Sequence, residues 1–108
     1  MNTATREAKL QDTEWSLWQT AETTARRAGF GIAPDCASHL RGFIASGVAR
    51  LRDDGRLGDD SALNETRANL VTFVERMVIE ARTLNLTELH EPTFFRALSQ
   101  LCPLWPFC

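Results

Sequence analysis

The 108-residue sequence contains no long apolar run, little net charge and few cysteines. No apolar run approaches the about 18 residues that cross a bilayer, so we expect no membrane span. The net charge is −2, from 12 basic and 14 acidic residues, and therefore creates no global field that attracts nucleic acid or an acidic membrane. The three cysteines include no C-x-x-C pair, which disfavours a disulfide scaffold. No apolar h-region follows the charges of residues 1–7, so we expect a cytoplasmic protein without a secretory signal.

The apolar residues that are present recur with the period of an α-helix. They predict four helices over residues 8–28, 34–52, 61–84 and 92–101, while the short alternations at 29–32 and 84–87 are expected to fall in connections. A chain of this size builds one core and is too short for a second full domain. Short connections favour antiparallel neighbours. We therefore predict one all-α domain over residues 1–108, an antiparallel four-helix bundle.

Turn-forming residues separate the predicted helices. Gly29 follows the first helix, where it can adopt the left-handed conformation that ends many helices. Pro34 suits the first position of the second helix, because its missing N–H has no helical partner there. Asp60 or Ser61 is expected to cap the third helix, and Asn85 to close it.

The last predicted helix is too short to cover the third one. At 1.5 Å per residue the third helix is roughly 36 Å long and the fourth about 15 Å. Residues 102–108 could extend over about 23 Å, and their two prolines prevent a helix. This predicts an extended, apolar C-terminal tail that lies beside the short helix and completes the bundle.

The tail carries three large apolar side chains, Leu104, Trp105 and Phe107, where chain ends are normally polar. One interpretation is that they dock on the protein's own helices. A second is that they dock into a partner protein or a second copy of the chain. A third is that the chain is a precursor, with a helical leader and a Cys- and Trp-containing tail that an enzyme modifies or cleaves.

Trp15 is the other unusual apolar residue. It lies roughly 120° from the centre of the apolar stripe of the first helix, whereas Trp18 lies at the edge of that stripe. Exposed tryptophan is enriched among the anchors of protein interfaces. The candidate partner-binding residues are therefore Trp15, Leu104, Trp105 and Phe107. The alternative is that Trp15 covers a loop.

A metal site or a catalytic thiol would have to use Cys36 and His39, one turn apart on the second helix. Cys102 and Cys108 could supply further zinc ligands, but the paired knuckles typical of structural zinc sites are absent. We predict that Cys36 is a small buried hydrophobe and that His39 lies at the boundary of the core. With no substrate path and no third orienting group, we predict no enzyme activity, no cofactor and no metal.

The second helix also carries arginines at 41, 50 and 52, followed by Arg56, but Asp53 and Asp54 offset them. Phosphate contacts need uncompensated charge, so we predict no nucleic-acid partner and no membrane partner. The sequence indicates a small helical protein-interaction module that binds another protein or a second copy of itself, with the tail as a docking element. The precursor and a zinc-stabilised domain are the alternatives.

Overall fold

The structure, a computed structural model, describes residues 3–101, with side chains from residue 9 onward. It contains the helices α1 (Thr3–Arg27), α2 (Pro34–Asp53), α3 (Asp60–Thr83) and α4 (Glu91–Leu101), and the strands β1 (Gly31–Ile32) and β2 (Glu88–Leu89). The predicted all-α bundle of four helices is confirmed. α1 begins at residue 3 rather than 8, and the other helix boundaries agree to within one residue. The predicted tail, residues 102–108, lies outside the described residues.

Gly29 and Asn85 end their helices as predicted, whereas the cap of α3 lies one residue earlier than predicted. Gly29 has φ 87° and Asn85 has φ 58°, the left-handed backbone that ends a helix. After α1, the amide of Phe30 donates to the carbonyl of Ala25 at 2.9 Å, which closes the last turn. Asp59, rather than Asp60 or Ser61, is the N-cap of α3 and accepts hydrogen bonds from the next turn.

The two interhelical links that contain β1 and β2 meet as a short parallel ladder. Gly31 pairs with Glu88, and Ile32 pairs with Leu89. The sequence pattern placed these residues in connections, and their pairing was not predicted, because a two-residue ladder is too short to show a strand period. The ladder brings the C-terminal ends of α1 and α3, and the N-terminal ends of α2 and α4, to one end of the bundle.

Contacts along the helices show how the elements are arranged. Arg67 in the first half of α3 donates to Ser16 in α1 at 3.0 Å. Near the other end of both helices, Arg82 donates to the carbonyl of Ala28 at 3.4 Å. α1 and α3 therefore run in the same direction as neighbours. The α1–α2 and α3–α4 hairpins lie side by side, each with its own link at the shared end.

The core is filled by the predicted apolar faces of all four helices. At its centre the Phe73 ring stacks on Phe43, with 4.8 Å between ring centroids, and meets Phe94 edge-on at 5.6 Å. Leu84 was predicted to extend the apolar face of α3 but is partly exposed, because α3 ends one residue before it. Within residues 3–101, no helix is both long and apolar enough to cross a membrane.

Glu80 departs from the predicted charge pattern. The sequence placed it at the water-facing margin of α3, paired with Arg76, and that pair forms at 3.1 Å. Glu80 is nevertheless buried, because α4 packs on this side and contributes Arg96, whose Nε donates to the carboxylate at 2.7 Å. This hydrogen bond, together with the nearby arginine charges, lowers the pKa of Glu80, while its desolvation acts in the opposite direction. The long-range Arg96 contact could not be read from local spacing.

Candidate partner-binding surface

Trp15 lies on the outer side of α1, facing the gap between α1 and α2. It is 59% exposed, which agrees with its position away from the apolar stripe. Trp18, one turn further along α1, is 7% exposed and belongs to the core cluster. Of the two tryptophans on α1, one is therefore structural and the other is free to contact a partner.

A small cleft opens beside Trp15. Its walls include Trp18 and Arg41, with Ile44 below and Gln11 and Glu14 at the rim. The guanidinium carbon of Arg41 lies 4.5 Å from the centroid of the Trp18 ring, a cation–π arrangement. The sequence assigned Arg41 to a basic strip and did not predict this contact, since it depends on α2 packing against α1.

The cleft is small, and it is lined by residue types that are common at protein interfaces. Its volume of about 230 Å³ is below the usual range for ligand pockets. Tryptophan and arginine are the residue types most enriched among interface anchors. Glu14 and Arg41 add charges of opposite sign at the edge. The geometry suits one apolar side chain of a partner, flanked by polar groups that hold its backbone or its neighbours.

The other predicted partner-binding residues, Leu104, Trp105 and Phe107, lie outside the described residues. Their docking, in the same chain or elsewhere, stays a prediction. Of the four predicted partner-binding residues, Trp15 is therefore the one whose contacts and exposure the structure describes. The signal that identified it was its angular position on α1, a property that depends only on helical geometry.

Cys36 and His39 do not form a reactive pair. Cys36 is fully buried, and burial raises the pKa of its thiol to about 12, with a further contribution from the Asp35 charge. His39 Nε2 lies 2.7 Å from a carboxylate oxygen of Glu91, and its ring stacks on Phe94. The described residues contain no group of three or more His, Cys, Asp or Glu side chains arranged to hold a metal ion. Cys102 and Cys108, the other proposed zinc ligands, lie outside the described residues.

The arginines at the end of α2 and in the loop after it are neutralised by neighbouring aspartates. Arg50 pairs with Asp54 at 3.5 Å, and Arg52 pairs with Asp53 at 3.0 Å. Arg56 lies 3.9 Å from a carboxylate oxygen of the α3 N-cap residue. The offset expected from Asp53 and Asp54 is thus present as ion pairs with Arg50 and Arg52.

Asp35 joins the N-terminal ends of α2 and α4. One carboxylate oxygen accepts a hydrogen bond from the Cys36 amide at 2.9 Å, and the other accepts one from the Glu91 amide at 3.1 Å. His90 Nδ1 lies 3.4 Å from the first of these oxygens. The hydrogen bond from the Glu91 amide is the largest of the effects that lower the pKa of Asp35. One side chain therefore caps the start of α4 and also contacts the first turn of α2, to which it belongs.

Replacing Asp35 with asparagine is expected to weaken the fold at neutral pH and to reduce its sensitivity to acid. Because its pKa is lowered in the folded state, the carboxylate stabilises the protein above the unfolded pKa, about 3.9, and this contribution is lost as pH falls through the lower folded pKa. Urea unfolding at several pH values between about 6 and 3 measures both effects. Asp53→Asn, which removes only a surface ion pair, is the control. An unchanged acid dependence in Asp35→Asn would contradict the capping role.

A second concave surface, not predicted from the sequence, lies between α1 and α3 on another side of the bundle. It is an open groove of about 940 Å³. α1 contributes mainly hydroxyl side chains to it, and α3 contributes Val71, Glu75, Val78, Ile79 and Arg82. Val71, Glu75, Val78 and Arg82 are spaced by four, three and four residues. This is the repeat of a helix face that packs on another helix. That repeat is the sequence signal that could have revealed the groove.

The fold by itself does not select a function, because four-helix arrangements support many unrelated ones. In comparisons with known proteins, no family model, no curated protein and no solved structure matches the chain. What the molecule does is therefore inferred from its own surfaces.

Proposed function

We propose that the protein is a small cytoplasmic interaction module that binds a partner protein through the cleft beside Trp15. The observation that carries this proposal is a tryptophan that is 59% exposed at the edge of a formed cleft. Removing such a large apolar side chain from water against a partner would contribute favourable free energy to binding. The partner is expected to insert one aliphatic or aromatic side chain between Trp15 and Trp18.

The rigid surroundings of the cleft support this proposal. Trp18 and Ile44 are buried, so the base of the cleft is part of the core and does not have to be ordered on binding. Arg41 is already stacked on Trp18, which reduces the freedom its guanidinium would lose in a complex. Preorganised contacts of this kind increase affinity because they lower the entropy cost of association.

The apolar tail is the second element of the proposal. Leu104, Trp105 and Phe107 are proposed to add contacts to the same partner or to a second copy of the chain. Proline-containing extended segments lose little conformational entropy when they dock, which suits them to this role. A chain that ends at Leu101, titrated against the same partner, would separate the contribution of the tail from that of the cleft.

Trp15→Ala is expected to weaken partner binding strongly while leaving the fold intact. Truncating a central interface tryptophan typically costs about 2 kcal/mol or more, which is about 30-fold in affinity. Proteins captured from the native cell by the wild-type chain would be compared with those captured by the variant. The binding of each captured protein would then be titrated with purified components, and circular dichroism would confirm unchanged helicity.

The matched control is Phe95→Ala, because Phe95 is also an exposed aromatic residue, at 48%, but lies on α4 away from the cleft. A partner bound by wild type and by Phe95→Ala, but not by Trp15→Ala, would support the proposal. A partner that binds all three chains equally well would show that the cleft is not the binding site.

A further inference from the structure

The groove between α1 and α3 combines an exposed apolar residue with two hydroxyl groups that already have partners. Ile79 is 48% exposed in the middle of the α3 wall. On the α1 wall, the hydroxyl of Thr20 donates to the Ser16 carbonyl at 3.1 Å, and that of Thr24 donates to the Thr20 carbonyl at 2.8 Å. Since these hydroxyl hydrogens are bonded within the helix, covering the groove would leave no unpaired donor among them.

The charges in the groove lie at two separate levels. Glu75 lies on α3, about two turns or roughly 10 Å before Arg82 on the same side of the helix. Arg27 on α1 lies at the level of Arg82, because Arg82 reaches the carbonyl of the adjacent Ala28. Within the described part of the chain, Glu75, Arg27 and Arg82 form no ion pair. Along the helix axes, the groove therefore has a negative charge at one height, from Glu75, and positive charges about two turns away, from Arg27 and Arg82. Neither charge is paired with an opposite one among the residues that the structure describes.

Ile79 lies halfway between these two levels. A two-fold axis through the groove near Ile79 would place Glu75 of one copy opposite Arg82 and Arg27 of the other. The same rotation would place the arginines of the first copy opposite the second Glu75. The exposed Ile79 side chains of both copies would meet close to the axis. The groove is thus complementary to itself in both charge and apolar character.

We infer that the α1–α3 groove is the interface of a symmetric dimer, in which α1 and α3 of one copy pack antiparallel on α1 and α3 of the second. This surface is separate from the Trp15 cleft, which lies between α1 and α2. Dimerisation would therefore display two Trp15 clefts in one assembly. The exposed apolar surface of the groove is largely that of one isoleucine per copy, so the dimer is expected to dissociate at low protein concentration.

Charge reversal tests the inference directly. The first variant carries Glu75→Arg, and the second carries Arg27→Glu and Arg82→Glu. In each variant alone, the proposed interface places like charges opposite each other, and dimerisation is expected to weaken at least about tenfold. When the two variants are mixed, every reversed residue again faces an opposite charge, so a one-to-one dimer is expected. All three residues are exposed, but Arg82→Glu also removes the hydrogen bond to the Ala28 carbonyl and the contact with the Phe30 ring, so circular dichroism of each variant must first show unchanged helicity.

The measurement is sedimentation equilibrium in reducing buffer, from about 10 µM to about 1 mM chain, for wild type, each variant and the mixture. Glu22→Arg is the matched control, because it makes the same charge change on α1 but lies roughly 160° around the helix from Thr20. Trp15→Ala is expected to dimerise as wild type does.

Each outcome decides the question. Dimeric wild type, impaired single variants, a restored mixed dimer and an unaffected control would establish the interface. A wild-type chain that stays monomeric at the highest concentration would overturn it. So would a Glu75→Arg chain that dimerises as well as wild type, or a mixture that stays as weak as its components.

Discussion

Replacing Phe73 with alanine is expected to lower the free energy of unfolding by about 3–5 kcal/mol, the usual cost of removing a buried phenylalanine ring. Phe73 is 2% exposed and contacts the rings of both Phe43 and Phe94, which also contact each other. Its removal leaves a cavity where α2, α3 and α4 meet, and it also removes two aromatic contacts. Domains of this size are stable by about 5–15 kcal/mol, so the variant would be close to its folding limit.

The expected loss is measured by urea unfolding followed by circular dichroism, and a decrease of more than about 10 °C in melting temperature should accompany it. Phe95→Ala is the control, because it removes the same ring from a position that is 48% exposed and should cost much less. Equal losses in the two variants would show that Phe73 is not at the centre of the core.

Raising the pH above about 9 is expected to destabilise the protein through Cys36. The pKa of the buried thiol is raised to about 12, above the ordinary thiol value that it regains on unfolding. The stabilising contribution is therefore complete below the unfolded pKa and is lost as the pH rises towards the folded pKa. Each pH unit in this window removes about 1.4 kcal/mol, which amounts to about 3 kcal/mol by pH 11.

This effect is isolated in a chain with Cys102→Ser and Cys108→Ser, in which Cys36 is the remaining thiol. Urea unfolding between about pH 8 and 11 is compared with and without the additional change Cys36→Ala, which removes the titrating group. The alanine variant should lose less stability with rising pH. In the native state at about pH 8, the thiol should also react with a disulfide reagent at least about 100-fold more slowly than in urea. Matching pH dependence in both chains, or rapid native labelling, would contradict the burial of Cys36.

The features that the sequence predicted well depend on residues that are close to one another in the sequence. Gly29 and Asn85 end helices as predicted, and both do so with a positive φ, which was expected for Gly29. The exposure of Trp15 and the burial of Cys36 follow from their angles on a single helix. For these residues, the nature of the tertiary partner matters little.

The features that the sequence did not predict depend on which helices become neighbours. Glu80 is buried because α4 brings Arg96 to it, a contact between residues far apart in the chain. The cleft requires Arg41 of α2 to stack on Trp18 of α1. The pairing of Ile32 with Leu89 involves strands too short to have a detectable period.

The sequence by itself therefore determined the class of fold, the helix ends other than the start of α1, and most of the face that each helix buries. These properties follow from local backbone energetics and from the helical period of the apolar residues. Tertiary structure alone decided that α1 lies beside α3 in the same direction, and thus that a cleft and a groove form on different sides of the bundle. Both surfaces are made by pairs of helices, and helix pairing is set by the packing of whole faces, which no single segment encodes.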